Sequence, residues 1–431
     1  MRVALYEDGS AGDLGPIALM RPVFELVCGR FTLRERLLRH FGAREWSAFV
    51  RDYLAETYRE EFPEASVNDF VRLTRAPTVL VNGRWLPTPE ALPAIREDEV
   101  GVIDDTVAYL TLDPLEAVLL TETSWDDALA QIARTRRFVP AAGQLIHRPW
   151  DLIEHNPAQL ASDFRWLKDS LPRSEPGPQV ATLGPVENVS IDPSAEIDPF
   201  VVLDARHGPV TIDAGARIQA FTRLEGPCHV GRQSHLFRAN IREGTTIGPV
   251  CRVGGEIEES ILHGYVNKYH DGFLGHSYVC PWVNLGALTT NSDLKNDYSS
   301  VSVPLAGEAI DSGSTKVGCF IGDHTKTAIG SLFNTGSSVG IMCLVLPGGE
   351  LLPKHVPSFA RVWHGELVDA WDLGRSLETA RAAMSRRGME LTPAQERLIR
   401  YHFEAASEER AVAIHRTREK APRPAFAGSE R

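Results

Sequence analysis

The sequence predicts an α/β domain, then a left-handed parallel β-helix of hexapeptide repeats, and finally a helical C-terminal extension. Two observations carry this prediction. Short apolar runs alternate with amphipathic ones in the first part of the chain. From Ile191, apolar residues recur every six positions, a period typical of neither a helix nor a simple strand. We expect domains at residues 1–170 and 186–358, a linker at 171–185, and an extension at 359–431 with a disordered end from Lys420.

The α/β domain shows its strands and its first helix clearly. Strands are predicted at Arg2 to Tyr6 and at Thr78 to Val81. Between them, Thr32 and Glu35 form a capping box, and Gly42 ends the helix that they begin. The buried stripe of this helix is expected to be Leu33, Leu37 and Leu38.

The six-residue period is the strongest signal in the chain. Six residues suit one short strand and a turn, and three such sides form a triangular coil with one inward aliphatic side chain per side. A β-sandwich, the alternative fold, would alternate at period two. The inward positions are predicted at Ile191, Ile197, Leu203, Ile212, Ile218, Leu224, Val230, Leu236, Ile241, Ile247, Val253, Phe273, Val279, Leu285, Ile321, Thr327, Phe333, Val339, Val345 and Leu351.

Helices are predicted on both sides of the repeats. One runs from Trp150 to Leu167 and leads into a proline-rich linker. The other begins at a capping box of Thr392 and Gln395, with Pro393 at its first position. It is expected to pack against the β-helix or a neighbouring subunit through Leu398, Ile399, Phe403, Val412 and Ile414.

Composition excludes several classes of partner. The net charge of -12 argues against nucleic acid, and no apolar run approaches the ~20 residues that span a bilayer. The chain enters a strand directly, without the pattern of a secretory signal, so we expect a cytoplasmic protein. The six cysteines form no C-x-x-C pair and are expected to be reduced.

Polar residues that interrupt the repeat predict a site. The cluster runs from Asn267 to Gly272 and continues with His276, Asn284 and the segment from Asn291 to Asn296. Interruptions of a β-helix are extruded as loops, and loops on a rigid scaffold are where sites are usually built. The alternative for any single residue is a solvated turn.

These motifs resemble the acetyltransferase half of the bacterial bifunctional N-acetylglucosamine-1-phosphate uridylyltransferase/glucosamine-1-phosphate acetyltransferase family. The resemblance runs through Lys268-Tyr269-His270, Phe273-Leu274-Gly275 and Val283-Asn284-Leu285-Gly286-Ala287. It implies that His270 is the general base, that Asn284 contacts the sugar and that Ala287 lies beside coenzyme A. It also implies acetyl-CoA as cosubstrate, an amino-sugar 1-phosphate as acceptor, Lys295 near its phosphate, and a homotrimer with the acyl site between subunits.

The chemistry calls for such residues independently. An amine attacks a thioester only when neutral, so a base with a pKa near neutrality must take its proton, and histidine is suited to this. A sugar phosphate calls for cations, for which Lys268, Arg238, Arg242 and Lys295 are the candidates. Phe273 and Leu288 depart from the family pattern, which leaves the acceptor sugar open.

The N-terminal domain resembles a divergent sugar nucleotidyltransferase-like branch, with Arg21-Pro22 and Gly29-Arg30-Phe31-Thr32 where relatives carry a Gly-rich phosphate loop. Arg21 and Arg30, before a helix N-terminus, are candidate nucleotide-binding residues, and interdomain salt bridges are the alternative. Nucleotidyl transfer to a sugar 1-phosphate would use a nucleoside triphosphate and Mg²⁺. Asn82 stands where related enzymes carry a magnesium-binding Asp, and its amide is a poorer ligand.

Three other functions stay open on the sequence. In the first, the chain is a nucleotidyltransferase whose β-helix has no activity. In the second, it is a non-catalytic, trimeric scaffold that binds sugar nucleotides. In the third, His263, His270 and His276 form a zinc site, although nothing in the sequence fixes the geometry of three ligands.

Overall fold

The fold follows the three-part division expected from the sequence. The structure is a computed structural model and describes residues 1–88, 95–122 and 124–420. The α/β domain, the parallel β-helix and the helical C-terminal extension are all present, so the predicted fold class is confirmed. The left-handed sense of the coil stays a prediction. The disordered end expected from Lys420 lies, from residue 421 onward, outside the described residues.

The α/β domain is built on a seven-stranded mixed sheet. Its strands are β1 (Arg2–Tyr6), β2 (Val27–Cys28), β3 (Phe31–Thr32), β4 (Glu45–Phe49), β5 (Ser66–Val67), β6 (Thr78–Asn82), β7 (Trp85–Pro87), β8 (Glu99–Ile103), β9 (Thr106–Leu112), β10 (Arg137–Pro140) and β11 (Gly143–Leu145). The order across the sheet is β10-β8-β9-β6-β1-β4-β5, and β1 is parallel to both β4 and β6. Its helices are α1 (Leu33–Phe41), α2 (Ala55–Glu61), α3 (Phe70–Leu73), α4 (Leu119–Glu122), α5 (Trp125–Ala133) and α6 (Pro149–Leu167).

Helix α1 confirms the predicted capping. Thr32 Oγ1 accepts from the amide of Glu35, the Glu35 carboxylate accepts from the amide of Thr32, and Gly42 is left-handed at φ 57°. Leu33 and Leu37 are buried as expected, whereas Leu38 is half-buried.

The β-helix begins at β12, inside the segment expected to be a linker, because Ala181 already pairs with Val202. Its strands are β12 (Ala181–Leu183), β13 (Val189–Ile191), β14 (Glu196–Ile197), β15 (Val202–Asp204), β16 (Val210–Ile212), β17 (Arg217–Ile218), β18 (Arg223–Glu225), β19 (Cys228–Val230), β20 (His235–Ile241), β21 (Thr245–Ile247), β22 (Arg252–Glu258), β23 (Ile261–Leu262), β24 (Asn267–Lys268), β25 (Phe273–Gly275), β26 (Tyr278–Val279), β27 (Thr290–Asn291), β28 (Ser302–Leu305), β29 (Glu308–Asp311), β30 (Cys319–Ile321), β31 (Lys326–Thr327), β32 (Leu332–Phe333), β33 (Ser337–Val339), β34 (Leu344–Leu346), β35 (His355–Val356), β36 (Ala360–Trp363) and β37 (Glu366–Ala370).

Three parallel faces surround the core of the β-helix. The docking face is the nine-stranded sheet β13-β16-β19-β21-β23-β26-β30-β33-β35. The other two faces are joined by β20 and β22, each of which bends across a corner and pairs with different strands on its two halves. We call that corner, formed by residues 237–239, 254–255, 269–272, 286–289 and 328–331, the His270 edge. Stacked inward aliphatic side chains fill the interior. The burial of each side chain stabilises the folded state by about 1.5–3 kcal/mol.

Two of the predicted inward positions are wrong by one residue. Leu274, 2% exposed, takes the inward place predicted for Phe273, and Leu352, 1% exposed, takes that of Leu351. In the second case the turn that contains Gly348 and Gly349 lengthens the repeat from six to seven residues.

The α/β domain packs against the docking face. The amide of Val27 donates to the Tyr278 hydroxyl at 2.9 Å, and Asn156 Nδ2 donates to Thr246 Oγ1 at 3.0 Å. A hairpin of β28 and β29 interrupts the repeat and buries Val301, Val303 and Leu305 in the same hydrophobic cluster. The interruption near Asn296 therefore serves in part to join the domains.

The C-terminal helices α7 (Leu373–Ser385), α8 (Pro393–Ala405) and α9 (Ser407–Lys420) connect the end of the β-helix to the α/β domain. The capping box of Thr392 and Gln395 is confirmed. Phe359 and Phe403 pack edge to face at 5.1 Å, and His402 Nε2 lies 2.8 Å from the carbonyl of Leu19. Leu398 and Ile399 are buried, whereas Val412 is exposed.

Two further predictions concern the whole chain. All six cysteines are free and buried, as expected. Within residues 1–88, 95–122 and 124–420, none of the helices has the length and apolar character needed to cross a bilayer.

Candidate active site

His270 lies in the turn between β24 and β25 at the His270 edge, which we call the His270 loop. Strand β24 ends at Lys268, and Lys268 and Leu274, six residues apart, both point inward, so this turn keeps the six-residue period and the extruded loop expected here is not present. The His270 ring is exposed and packs edge to face with Tyr269, whose ring lies 4.1 Å from that of Phe237 on a preceding coil. The imidazole is therefore held beside an aromatic surface and is accessible to a substrate.

Lys268 has a different position from the one expected of a phosphate ligand. Its side chain points into the coil and is 2% exposed, and Nζ donates to the carbonyls of Gly254 at 3.0 Å and His270 at 2.7 Å. Burial lowers the pKa of this amine to about 8. Lys268 fixes the backbone of the His270 loop, and its ammonium group is not directed at solvent.

Asn284 lies on the coil adjacent to the His270 loop. It forms a parallel bridge with Asn267 on one side and with Lys326 on the other, and the Asn267 amide donates to Asn284 Oδ1. Asn267 immediately precedes Lys268, so these bridges place Asn284 on the coil beside the turn that carries His270. The contact of Asn284 with a sugar stays a prediction.

Lys326 is a candidate site residue that the sequence analysis missed. Its Nζ donates to the carbonyl of Trp282, and burial lowers its pKa to about 7, against the opposing charge of Asp323. Only the pairing register places this amine next to Asn284, forty-two positions away in the chain, so motif spacing gave no signal for it.

Ala287 lies where an apolar strip begins. Its carbonyl accepts from the amide of Gly330 at 2.8 Å, which places it one coil from Ile329. Large apolar side chains are exposed nearby, at Leu288 (61%), Ile329 (75%) and Leu332 (39%). These three side chains, which we call the apolar strip, form an exposed apolar surface beside the His270 loop.

Arg242 and Lys295 are engaged elsewhere. Arg242 Nη1 lies 3.1 Å from Glu258 Oε2, at the far end of β22 from the His270 loop. Lys295 Nζ donates to the carbonyl of Ser300 and, at 3.3 Å, to Ser299 Oγ. The structure does not bring these two cations to His270 in the single chain.

His276 is a second histidine whose environment the sequence did not predict. It is 6% exposed, with Nδ1 2.8 Å from Asp293 Oδ2 and Nε2 3.3 Å from Glu259 Oε2. Burial opposes the charged form, but these two carboxylates outweigh it and raise the pKa of His276 to about 9. His263, by contrast, forms a hydrogen bond with Tyr278, in which Nδ1 of the imidazole lies 2.8 Å from the hydroxyl oxygen. Among the described residues, no group of three His, Cys, Asp or Glu side chains could hold a metal ion.

In the α/β domain, the two candidate nucleotide-binding arginines both reach the β-helix. Arg21 forms a forked ion pair with Asp323, and Arg30 Nη2 donates to Asp213 Oδ1 at 2.8 Å. These are the interdomain salt bridges that the sequence left open as the alternative.

The place where related enzymes hold magnesium is filled by internal hydrogen bonds. Both carboxylate oxygens of Asp8 accept from Arg84, and Asn82 Nδ2 donates to Asp8 Oδ2 at 2.8 Å. Asn82 Oδ1 accepts from the amide of Arg84 at 2.9 Å. Since these oxygens already have donors, the residues present do not fit a bound Mg²⁺.

Comparison with known proteins confirms the resemblance found in the sequence. Residues 3–171 match the family model described as sugar nucleotidyl transferase. A bifunctional sugar-1-phosphate nucleotidylyltransferase/acetyltransferase of Sulfurisphaera tokodaii is 30% identical over 205 residues, which are 47% of this chain and 44% of the relative. The bifunctional protein GlmU of Jannaschia sp. is 34% identical over 104 residues, 23% of this chain and 22% of the relative.

An uncharacterized acetyltransferase, YaiX, of Escherichia coli is 27% identical over 164 residues, 37% of this chain and 66% of the relative. The chain thus spans less than two thirds of the length of each of these relatives. Among solved structures, a UDP-N-acetylglucosamine acyltransferase aligns at a TM-score of 0.22 and 16% identity, covering 59% of this chain and 86% of that chain.

Proposed function

Starting from an N-terminal part that matches the sugar nucleotidyl transferase model and a β-helix similar to named acetyltransferases, we propose that this protein is an enzyme of sugar-nucleotide metabolism. Its β-helix transfers an acetyl group from acetyl-CoA to the amine of an amino-sugar 1-phosphate. The observation that carries the proposal is the proximity of the His270 loop, Asn284 and the apolar strip at one edge of the coil.

His270 is the proposed general base. The substrate amine attacks the thioester carbonyl, a C–N bond forms, and His270 takes the proton that the nitrogen loses. The C–S bond then breaks, and the thiolate leaves and regains a proton as the free thiol of coenzyme A. Asn284 is placed to donate to the oxyanion or the sugar, a contribution that is often large in acyl transfer.

The substrate phosphate calls for cations near this loop. The candidates that the single chain supplies are Arg238, which is exposed at the His270 edge, and Lys326, on the coil next to Asn284. Lys295 and Arg242 contact the phosphate only if a neighbouring copy of the chain brings them to the His270 loop. Such an arrangement agrees with the homotrimer that the family resemblance implies. Ala287 and the exposed Leu288 and Ile329 would then line the coenzyme A tail and the wall formed by a neighbouring subunit. A cytoplasmic location belongs to the same proposal, since acetyl-CoA is its cosubstrate.

Thiol release from acetyl-CoA with a panel of amino-sugar 1-phosphates tests this function. We expect turnover by the wild type and a loss of about 10²-fold or more in His270→Ala, the usual contribution of a general base. The control is His207→Ala, because His207 is also exposed on the β-helix but lies away from the His270 edge. A wild type that is silent across the panel would remove the acyltransferase proposal, and a fully active His270→Ala would remove His270 as its general base.

Nucleotidyl transfer by the α/β domain is the second candidate function. The match over residues 3–171 favours it, whereas the occupied oxygens of Asp8 and Asn82 disfavour a catalytic magnesium there. Pyrophosphate release from a nucleoside triphosphate and a sugar 1-phosphate, with and without Mg²⁺, decides the question. If neither activity appears but sugar nucleotides bind, the protein is a non-catalytic scaffold.

A further inference from the structure

The imidazole of His270 is oriented by a ring contact instead of a hydrogen bond. It packs against the ring of Tyr269, with 4.9 Å between the ring centroids and 66° between the ring planes. Within residues 1–88, 95–122 and 124–420, neither imidazole nitrogen of His270 takes part in a hydrogen bond. A histidine that acts as a base is usually oriented by a hydrogen bond to its other ring nitrogen. The contact with Tyr269 is thus the interaction that can orient this ring.

Tyr269 is itself held by Phe237. The centroids of the two rings are 4.1 Å apart, although the residues lie two coils apart. Phe237 pairs in register with Gly254 on the next coil, and Val253 pairs with Lys268 on the coil after that. At ~4.8 Å per coil, the backbones of the two aromatic residues are about 10 Å apart. Their side chains therefore extend toward each other across the coil between them.

The coil between the two rings carries Gly254 and Gly255 at the His270 edge. A Cβ atom on Gly254 would lie 2.1 Å from the carbonyl oxygen of Tyr269. A Cβ atom on Gly255 would lie 2.8 Å from Nζ of Lys268, and the φ of Gly255 is 75°, which favours glycine. Because this coil has no side chains at the edge, the ring of Phe237 can reach that of Tyr269.

Two restraints act on different parts of His270. Lys268 donates to its carbonyl at 2.7 Å and fixes the backbone. The ring of Tyr269 limits rotation of the side chain, which otherwise has about six orientations, three about χ1 and two about χ2. An aromatic pair of this geometry is strong enough to favour one orientation by about 2- to 10-fold. The backbone and the ring of His270 are thus held independently.

We propose that Tyr269, supported by Phe237, is the positioning residue that orients the imidazole of His270 toward the substrate amine. This role rests on the proposed acyl transfer, in which His270 takes the proton that the attacking nitrogen loses. Proton transfer requires an imidazole nitrogen within hydrogen-bond reach of that amine. Tyr269 acts through His270 and not on the substrate, so the loss of its ring lowers kcat and leaves KM for acetyl-CoA unchanged.

Thiol release by Tyr269→Leu and Tyr269→Phe tests the proposal. Leu removes the ring, so kcat should fall by about 2- to 10-fold, because the imidazole then spends less time in its productive orientation. Phe retains the ring and should retain the wild-type kcat. Phe237→Leu should also lower kcat, because it removes the support of Tyr269. An unchanged kcat in Tyr269→Leu, or a Phe variant as slow as the Leu variant, would overturn the proposal.

Phe221→Leu is the matched control. Phe221 is 72% exposed, lies three coils before Tyr269 on the β-helix, and stacks on Phe200 with 5.9 Å between the ring centroids. Its removal deletes an exposed aromatic ring without touching His270, so kcat should not change.

A double variant separates positioning from direct contact with the substrate. In the His270→Ala background, Tyr269→Leu should cause no further loss of the residual turnover, because no imidazole remains to be oriented. A further loss as large as that in the wild-type background would mean that Tyr269 acts on the substrate, and the positioning role would be wrong.

The orientation can also be measured without turnover. In protein labelled with ¹³C at histidine Cε1, His270→Ala identifies the Hε1 signal of His270 by its absence. The ring current of Tyr269 displaces this signal, so it should move in Tyr269→Leu and stay in place in Tyr269→Phe and Phe221→Leu. An active wild type whose signal does not move in Tyr269→Leu would overturn the positioning role and leave the proposed function intact. A silent wild type would remove the proposed function, and this role with it.

Discussion

The ammonium group of Lys268 donates a hydrogen bond to the backbone carbonyl of His270 at 2.7 Å, from inside the coil of the β-helix. The same nitrogen donates to the carbonyl of Gly254 at 3.0 Å. A side chain at an inward position thus fixes the turn that carries the proposed base, because it joins this turn to the coil before it.

Replacing Lys268 by Met should disorder the loop without emptying the core. Met has a similar length and no donors, so the carbonyls of Gly254 and His270 lose their partner. We expect kcat for thiol release to fall by about 10- to 100-fold, since small misplacements of a catalytic group have effects of that size, with little change in KM for acetyl-CoA. Lys168→Met, at an exposed helix end, is the control. An unchanged kcat would remove the positioning role.

The ion pairs of His276 should make stability depend on pH. The pKa of His276 is raised from 6.5 to about 9, so its contribution to stability is complete below pH 6.5 and is lost as the pH rises through 9. The full difference from His276→Gln is expected to be about 3 kcal/mol, from the rise of the pKa by 2.5 at about 1.4 kcal/mol for each unit. Denaturant unfolding of both proteins between pH 6 and pH 10 measures it. A difference that stays constant over that range would contradict the assignment.

The buried pair of Arg36 and Asp163 joins α1 to α6. The two side chains are 1% and 0% exposed, and Arg36 Nη2 also donates to the carbonyl of Cys28 at 2.7 Å. Arg36→Met leaves an unpaired buried carboxylate, so the free energy of unfolding should fall by about 3–5 kcal/mol. Arg165→Met, at an exposed position on α6, should change it by no more than about 0.5 kcal/mol. Equal effects of the two substitutions would refute this reasoning.

The six-residue period predicted most of the β-helix because each inward position must be filled for the coil to stack. Six residues after Leu262 comes Lys268, and six later comes Leu274, and both are inward in the structure. Phe273 was misplaced because it was counted back by six from Val279, whereas the inward residues Leu274 and Val279 are five apart. Lys268 was expected to contact a phosphate because of its charge, although the count of six from Leu262 places it inward.

Contacts between distant segments could not be predicted from the sequence. Local patterns predicted the helix that begins after Thr32, since its capping groups lie within one turn. The partners of Arg21 and Arg30 lie 302 and 183 residues away, and no local spacing identifies them. The same holds for Lys326 beside Asn284, which depends on how the hairpin insertion is accommodated between two coils.

The ion pair between Arg21 and Asp323 should control how firmly the α/β domain docks on the β-helix. The side chains are 12% and 4% exposed, and Arg21 Nη1 also donates to the carbonyl of Ile17 at 2.9 Å. Asp323→Asn removes the charge that compensates a buried guanidinium, which is expected to cost about 3–5 kcal/mol of docking free energy.

The amide of Val27 reports on this docking, because it donates to the Tyr278 hydroxyl across the interface. If it exchanges through undocking, its hydrogen exchange should be at least about 100-fold faster in Asp323→Asn, since each 1.4 kcal/mol is a factor of ten. The amide of Val81, inside the central sheet of the α/β domain, should not change, because it does not depend on the interface. Equal acceleration at both amides would mean that the variant unfolds the whole domain, and no acceleration at Val27 would mean that Arg21 and Asp323 contribute nothing to docking.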